Sequence, residues 1–339
     1  MRVVIVGASG SVGTAVLSRL HGDPSVTSVR ALARRVPHTT PSPPYDVAEW
    51  WPVDLAAGGP PERTVEHLRR AFVGADAVLH LAWAITPSHD RERLRRVNVD
   101  GTARVIAAAE QAGVPHLVVV SSFGAYSPAH DDDPRAENWP TDGLRGSDYS
   151  QDKVAQERLL DEAEQRGRLR IARVRPALVF HRNAGARLRR MAPLRPRGQL
   201  TVDLPELPWP EGLRLQAIHA DDLADGLREV VVRQATGAFN LAAPGVAHAA
   251  DVAQLVSGGS WRPVPYEGAR RALSWAWRLR LAPVGPGWLD LVDGAPLLDT
   301  ERAQRELDFR PRRTTVQALA DLVEGIRAGS GTASPPLKR

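Results

Sequence analysis

Residues 3–13 read VVIVGASGSVG: a run of Val and Ile leads straight into glycines at 7, 10 and 13. A short β-branched run of this kind suits a strand buried on both faces. Glycines permit a tight turn and let the backbone come close to a pyrophosphate. A helical pattern follows the glycine loop at 7–13 and runs to about residue 21. Its unpaired N–H groups and positive dipole end would face that same group. A glycine turn by itself could be purely structural. Strand, turn and helix in this order point to a dinucleotide-binding sheet, with Gly7, Gly10, Ser11, Val12 and Gly13 as contact residues.

The alternation continues. Strands are expected at about 26–33, 49–53, 76–82 and 116–122, and helices at about 62–72, 89–112 and 149–166, ahead of a strand at 170–180. This predicts an α/β protein with a Rossmann-type, doubly wound parallel sheet. Residues 1–180 would form the NAD(P)-binding domain, with 214–245 returning to it. Residues 181–213 and 246–328 would form a smaller C-terminal substrate lobe. The Pro/Ser-rich tail, 329–339, is expected to be disordered.

The glycines are spaced G-x-x-G-x-x-G, and here the chain resembles the extended branch of the short-chain dehydrogenase/reductase superfamily, the NAD-dependent epimerase/dehydratase family. Further matching pieces follow in the family's order to about residue 328. They are VDL at 53–55, LHLAW at 79–83, NVDGT at 98–102, SSFGAY at 121–126, YSQDK at 149–153, RP at 175–176, IHADDLADGL at 218–227 and RELDFRPR at 305–312. The resemblance implies that Asp54 lies against the adenine, that Leu81 and Ala82 line the cofactor cleft, and that Asn98 belongs to the cofactor site. It also implies that Ser122, with Ser121 as runner-up, is the active-site serine at a strand end facing the cofactor crevice.

Of 44 Lys and Arg residues only two are lysines. One, Lys338, is in the tail. The other, Lys153, follows Tyr149 by four positions, which places both side chains on one helix face. Reducing a carbonyl by hydride requires a proton on its oxygen, and a phenol with a pKa near 10 is poorly matched to that task at neutral pH. A nearby cation should lower the pKa toward the useful range. A slim ammonium can lie beside a phenol and a ribose at once, where a forked guanidinium cannot substitute. Ser122, Tyr149 and Lys153 are therefore the expected catalytic set, with Lys153 also a cofactor ligand.

The second predicted strand ends RALARR. An acid there would accept hydrogen bonds from the ribose 2′-OH of NAD. Ala33 stands in that place instead, and Arg34 and Arg35 follow, suited to a 2′-phosphate. NADP is the expected cofactor, with NAD the alternative. Both arginines could equally be solvated side chains in an arginine-rich chain.

Other chemistries are set aside. Cysteine is absent, so there are no disulfides or cysteine metal sites, and the histidines lack zinc-ligand spacing. No Gly-x-Ser-x-Gly elbow suggests a serine hydrolase. The net charge of +5 is spread along the chain, so no nucleic-acid partner is expected. With neither a leader pattern nor a membrane-length apolar run, a cytoplasmic location is expected. The arginine-rich stretch 182–197 reads as a clamp for an acidic substrate such as a nucleotide-sugar diphosphate, or as a solvated helix. Trp139, Trp209, Trp261, Trp275, Trp277 and Trp288 could wall an apolar substrate pocket or pack the lobe. Trp275 and Trp277 could also face a homodimer partner or a membrane. The expected function is reversible hydride transfer between nicotinamide and a carbonyl or alcohol of a small organic substrate. The alternatives are a nucleotide-sugar epimerase or dehydratase, and a non-catalytic dinucleotide-binding sensor.

Overall fold

The structure is a computed structural model and describes residues 1–191 and 203–338. The later part of the 182–197 arginine run therefore lies outside the described residues. Strands β1 (Arg2–Val6), β2 (Ser28–Ala33), β3 (Ala48–Pro52), β4 (Ala77–His80), β5 (His116–Val120) and β6 (Arg170–Pro176) build the main sheet. Short strands β7 (Leu178–Phe180), β8 (Leu207–Pro210) and β9 (Ala217–His219) follow, then β10 (Gly237–Leu241) and β11 (Trp261–Val264). The sheet has seven parallel strands in the order β10-β6-β5-β4-β1-β2-β3. Strand order reverses between β1 and β4, which opens a crevice at the carboxyl ends of those two strands.

The helices are α1 (Ser11–Leu20), α2 (Pro61–Phe72), α3 (Arg91–Arg95), α4 (Gly101–Gln111), α5 (Asp148–Arg166) and α6 (Gly185–Met191), then α7 (Ala220–Val232), α8 (Ala249–Val256), α9 (Tyr266–Arg278), α10 (Pro286–Asp293), α11 (Glu301–Leu307) and α12 (Thr315–Ala328). Successive strand residues face opposite sides of a sheet. In β1, Val3 and Ile5 join a core with Leu17, Leu223 and Leu227 of α1 and α7, whereas Val4 and Val6 join one with Leu68, Val105 and Leu160 of α2, α4 and α5. Both sheet faces are thus covered by helices, as the unbroken apolar β1 requires.

Three expectations change. The single helix expected over 89–112 is interrupted by a π-helical turn, Arg96–Asp100, between α3 and α4. Within it the Asn98 carbonyl accepts the Thr102 hydroxyl at 2.6 Å. The strand expected over 170–180 divides after Pro176: Ala177 donates to Leu241 O, and the chain then leaves the main sheet so that β7 can pair with β9. The tail, expected to be disordered, instead folds back onto the molecule as far as Lys338. Leu337 is fully buried, the Tyr45 hydroxyl donates to Thr332 Oγ1 at 2.9 Å, and the Ser334 hydroxyl donates to the carbonyl of Ser9 in the glycine turn.

Candidate active site

The glycine turn is tied to the end of β2, where the Leu32 carbonyl accepts the N–H groups of Gly7 and Ala8 at 2.9 and 3.2 Å. Gly7 has φ +94°, and a Cβ there would stand 2.6 Å from Ala82 N. A Cβ on Gly13 would stand 2.5 Å from the Ala8 carbonyl oxygen. Gly10 caps α1, and its own Cβ would meet only Gly7 O, at 3.4 Å. The turn therefore presses β1, α1 and residues 81–82 together, with Ser11 and Val12 half-buried at the N-terminus of α1. This cradle fits a dinucleotide pyrophosphate. Arg34 and Arg35 begin two residues beyond Leu32; both are exposed, and among the described residues no carboxylate pairs with either. Asp54, just past β3, accepts Ala56 N at 3.0 Å and is exposed.

Asn98 is almost fully buried, and its side chain is committed. Its Oδ1 accepts Ala84 N at 2.7 Å and its Nδ2 donates to Asp152 at 3.3 Å. It therefore holds the segment after Leu81 and Ala82 against α5. Arg91 completes the clamp by donating to both carboxylate oxygens of Asp152, at 2.7 and 2.5 Å, and by pairing with Asp148 at 3.1 Å. Sequence reading did not single out Arg91 or Asp152: 61 positions separate them, so spacing carries no signal of the pair.

Helix α5 is anchored at its start. The Ser147 side chain accepts Ser150 N, and the Ser150 hydroxyl donates to Gly124 O at 2.6 Å. Gly124 must be small, because a Cβ there would stand 3.0 Å from the Tyr149 ring. These contacts bring Tyr149 onto the turn after β5, where Ser122 lies beside it and accepts Gly124 N through its hydroxyl at 3.0 Å. Ser121 points elsewhere and donates to Glu157 at 2.6 Å. The two serines thus differ in their partners, Ser121 facing α5 and Ser122 the turn after β5.

Lys153 is nearly fully buried. Its ammonium donates to Val120 O at 2.9 Å and Gln156 Oε1 at 3.0 Å and lies 3.4 Å from the centre of the Trp83 ring. Trp83 stands edge-on to Tyr149 at 6.0 Å. The sequence expectation that Lys153 lowers the Tyr149 pKa is not met in this arrangement, because the ammonium is committed to a carbonyl, an amide and the indole face. Burial instead pushes the tyrosine up to about 12, against the pull of Ser122. Burial also brings Lys153 down to about 7, opposed by Glu157 and Asp152. Trp83 was within a quoted motif but was not singled out; its bulk at a position flanking the cleft was the available signal.

Tyr149 also lines a cavity of about 320 Å³. Trp288 of α10 lies against the tyrosine ring, with centroids 5.0 Å apart. Trp277 of α9 stacks on His89 at 4.0 Å and lines the same space. Of the other tryptophans, Trp139 packs near Tyr149 in a small core with Phe123 and Leu291, Trp209 packs near Leu319, and Trp261 and Trp275 are exposed. In the described part of the arginine run, Arg182 pairs with Glu324 and Arg187 donates to Thr86. Among the described residues there is no group of acids and histidines able to hold a metal, and no helix is long and apolar enough to cross a membrane.

A seven-stranded parallel sheet with this strand order and a glycine turn at its crevice defines a Rossmann-type dinucleotide-binding protein. The chain belongs to the NAD dependent epimerase/dehydratase family, whose sequence profile matches residues 3–242. It is 28% identical over 337 residues to an uncharacterized protein of Mycobacterium tuberculosis, covering 98% of this chain but only 31% of that protein. An uncharacterized protein of Sinorhizobium fredii is 25% identical over 266 residues, which are 77% of this chain and 65% of that one. Among solved structures, dTDP-glucose 4,6-dehydratase DesIV from Streptomyces venezuelae with NAD and TYD bound superposes with a TM-score of 0.69 at 19% identity, covering 97% of each chain. UDP-glucose 4-epimerase of Thermus thermophilus in complex with NAD gives 0.67 at 20% identity, over 96% of this chain and 99% of that one. At these identities the structural likeness speaks for the fold.

Proposed function

We propose that the protein is an NAD(P)-dependent oxidoreductase that interconverts an alcohol and a carbonyl compound, with Tyr149 as the acid–base group. The observation that supports this reading is the position of Tyr149 at a cavity wall, beside Ser122 and one helical turn from Lys153. The nicotinamide, when bound, accepts the hydride from the alcohol carbon or returns it to the carbonyl carbon. In the oxidising direction the alcohol O–H bond breaks, its proton passes to the Tyr149 oxygen, and the remaining C–O bond becomes C=O; reduction reverses each change. Ser122 holds the substrate oxygen beside the phenol. A phenol at about 12 gives up its proton reluctantly at neutral pH. A cation must therefore approach it, and Lys153 supplies that cation by turning from the Trp83 face toward Tyr149.

NADP is the preferred cofactor in this reading, supported by Arg34 and Arg35 standing exposed just past the end of β2. A second reading, epimerase or dehydratase, would use the same three side chains and return the hydride to the same substrate. The names of the similar solved structures favour it. Net oxidation of NADPH by a panel of carbonyl compounds separates the two. Tyr149→Phe keeps the ring and removes only the proton donor. It should leave cofactor binding nearly unchanged while turnover drops by about 10²–10⁴-fold. Full activity in that variant would reject Tyr149 as the acid–base group.

A further inference from the structure

Resting on the oxidoreductase reading, we propose that the cavity beside Tyr149 takes an apolar, ring-bearing alcohol or ketone, not a nucleotide-linked substrate. Its wall is built from Trp277, Trp288, Ile85, Pro87, Leu94 and Pro286. The two indoles are held in place. A Cβ on Gly287 would stand 2.5 Å from Gly146 O, so the start of α10 lies directly on the turn before α5, and this sets Trp288 against Tyr149. Asp290 binds Tyr266 at 2.7 Å and Arg270 at 2.7 and 3.0 Å, fastening α9 to α10, while His89 fixes the Trp277 ring from the other side. Fixed aromatic faces of this kind favour flat apolar ligands.

The polar groups along the wall are largely spent within the protein. Asn98 serves Ala84 and Asp152, Ser147 caps α5, Ser88 accepts Asp90 N at 3.0 Å, and Thr86 accepts Arg187. Of the charged groups, Asp148 and Asp152 are both held by Arg91, and Arg278, exposed at the rim, is the one basic residue lining the cavity among the described residues. A diphosphate would bring several negative charges to a wall that, among the described residues, offers one arginine and two acids, and desolvating those charges without partners is costly.

The test is isothermal titration calorimetry of the full chain with saturating NADP⁺, using 2-tetralone as the apolar probe and UDP-glucose as the nucleotide-linked one. The tetralone should bind, and UDP-glucose should bind far more weakly. Trp277→Ala and Trp288→Ala should each weaken tetralone binding by about tenfold to a hundredfold, the value of an apolar side chain's burial. Trp277→Phe and Trp288→Phe, which keep an aromatic ring and the packing around it, should recover most of the affinity. Tighter binding of UDP-glucose, no measurable binding of the tetralone, or tetralone binding indifferent to both indoles would overturn the proposal. Tetralone binding of the expected pattern without NADPH oxidation would leave the pocket assignment standing and remove the oxidoreductase reading.

Discussion

At the scale of single residues, Lys153 carries a charge where burial disfavours it. In the unfolded chain a lysine keeps its proton up to about 10.5, whereas in the fold Lys153 releases it at about 7. Between those values the unfolded state binds more protons, so stability should rise with pH through this window. Lys153→Met should flatten that rise, by an amount on the order of a few kcal/mol across the window. Urea denaturation of both proteins from pH 6 to 10 measures it, and parallel curves would mean that Lys153 does not titrate as described. Arg34 and Arg35 make a different prediction. A charged hydrogen bond to phosphate is worth roughly 1.5–3 kcal/mol. The double Ala variant should therefore lose about tenfold to a hundredfold in NADP(H) affinity per bond removed and keep its NAD(H) affinity. Equal losses for both cofactors, or a wild type that prefers NAD(H), would return the assignment to NAD. The rarity of lysine made Lys153 readable from sequence. What the ammonium touches was not readable, because Val120, Gln156 and Trp83 meet it only through the fold.

At the scale of elements, α5 is joined to the sheet by a buried charge cluster. Glu157 accepts Arg175 through both oxygens at 2.9 Å, Arg173 at 3.0 Å and the Ser121 hydroxyl at 2.6 Å. Burial alone would raise the Glu157 pKa; the hydrogen bonds and charges of Arg175, the charge of Arg173 and the Ser121 hydroxyl outweigh it and hold the carboxyl at about 2. A carboxyl depressed in the fold contributes stability above its unfolded value, lost as pH falls through the folded one. The window here runs from about 4.5 down to about 2. Glu157→Gln leaves the buried Arg175 guanidinium without a carboxylate partner, while Arg173 keeps Asp161 and Glu164, and should cost about 3–5 kcal/mol at neutral pH. The variant should also lose less stability on acidification than the wild type, as followed by thermal unfolding. An unchanged melting temperature would show that α5 does not depend on this cluster. The helix itself was legible in the sequence at about 149–166, while the Ser147 cap at its start is read from the structure. The π-turn before α4 was not, since the residues around Asn98 read as ordinary helix and only the contacts with Ala84 and Asp152 reveal their role.

At the scale of the whole molecule, the alternation of strands and helices made the doubly wound sheet legible, and the glycine turn located its crevice. Boundaries failed where the chain changes partners, as at Pro176, because a strand pattern does not record which sheet it joins. The tail failed for a related reason. Its composition is that of a solvated segment, yet Leu337 and Ser334 find places that only the assembled fold provides. Ser334 also closes a circuit, since its bond to Ser9 spans 325 positions. On a ribosome the glycine turn emerges 325 positions ahead of Ser334, so this fastening must wait until residue 334 has cleared the exit tunnel. β10, which edges the sheet beside β6, also arrives long after β1. The glycine turn is therefore synthesised well before the contacts that complete it.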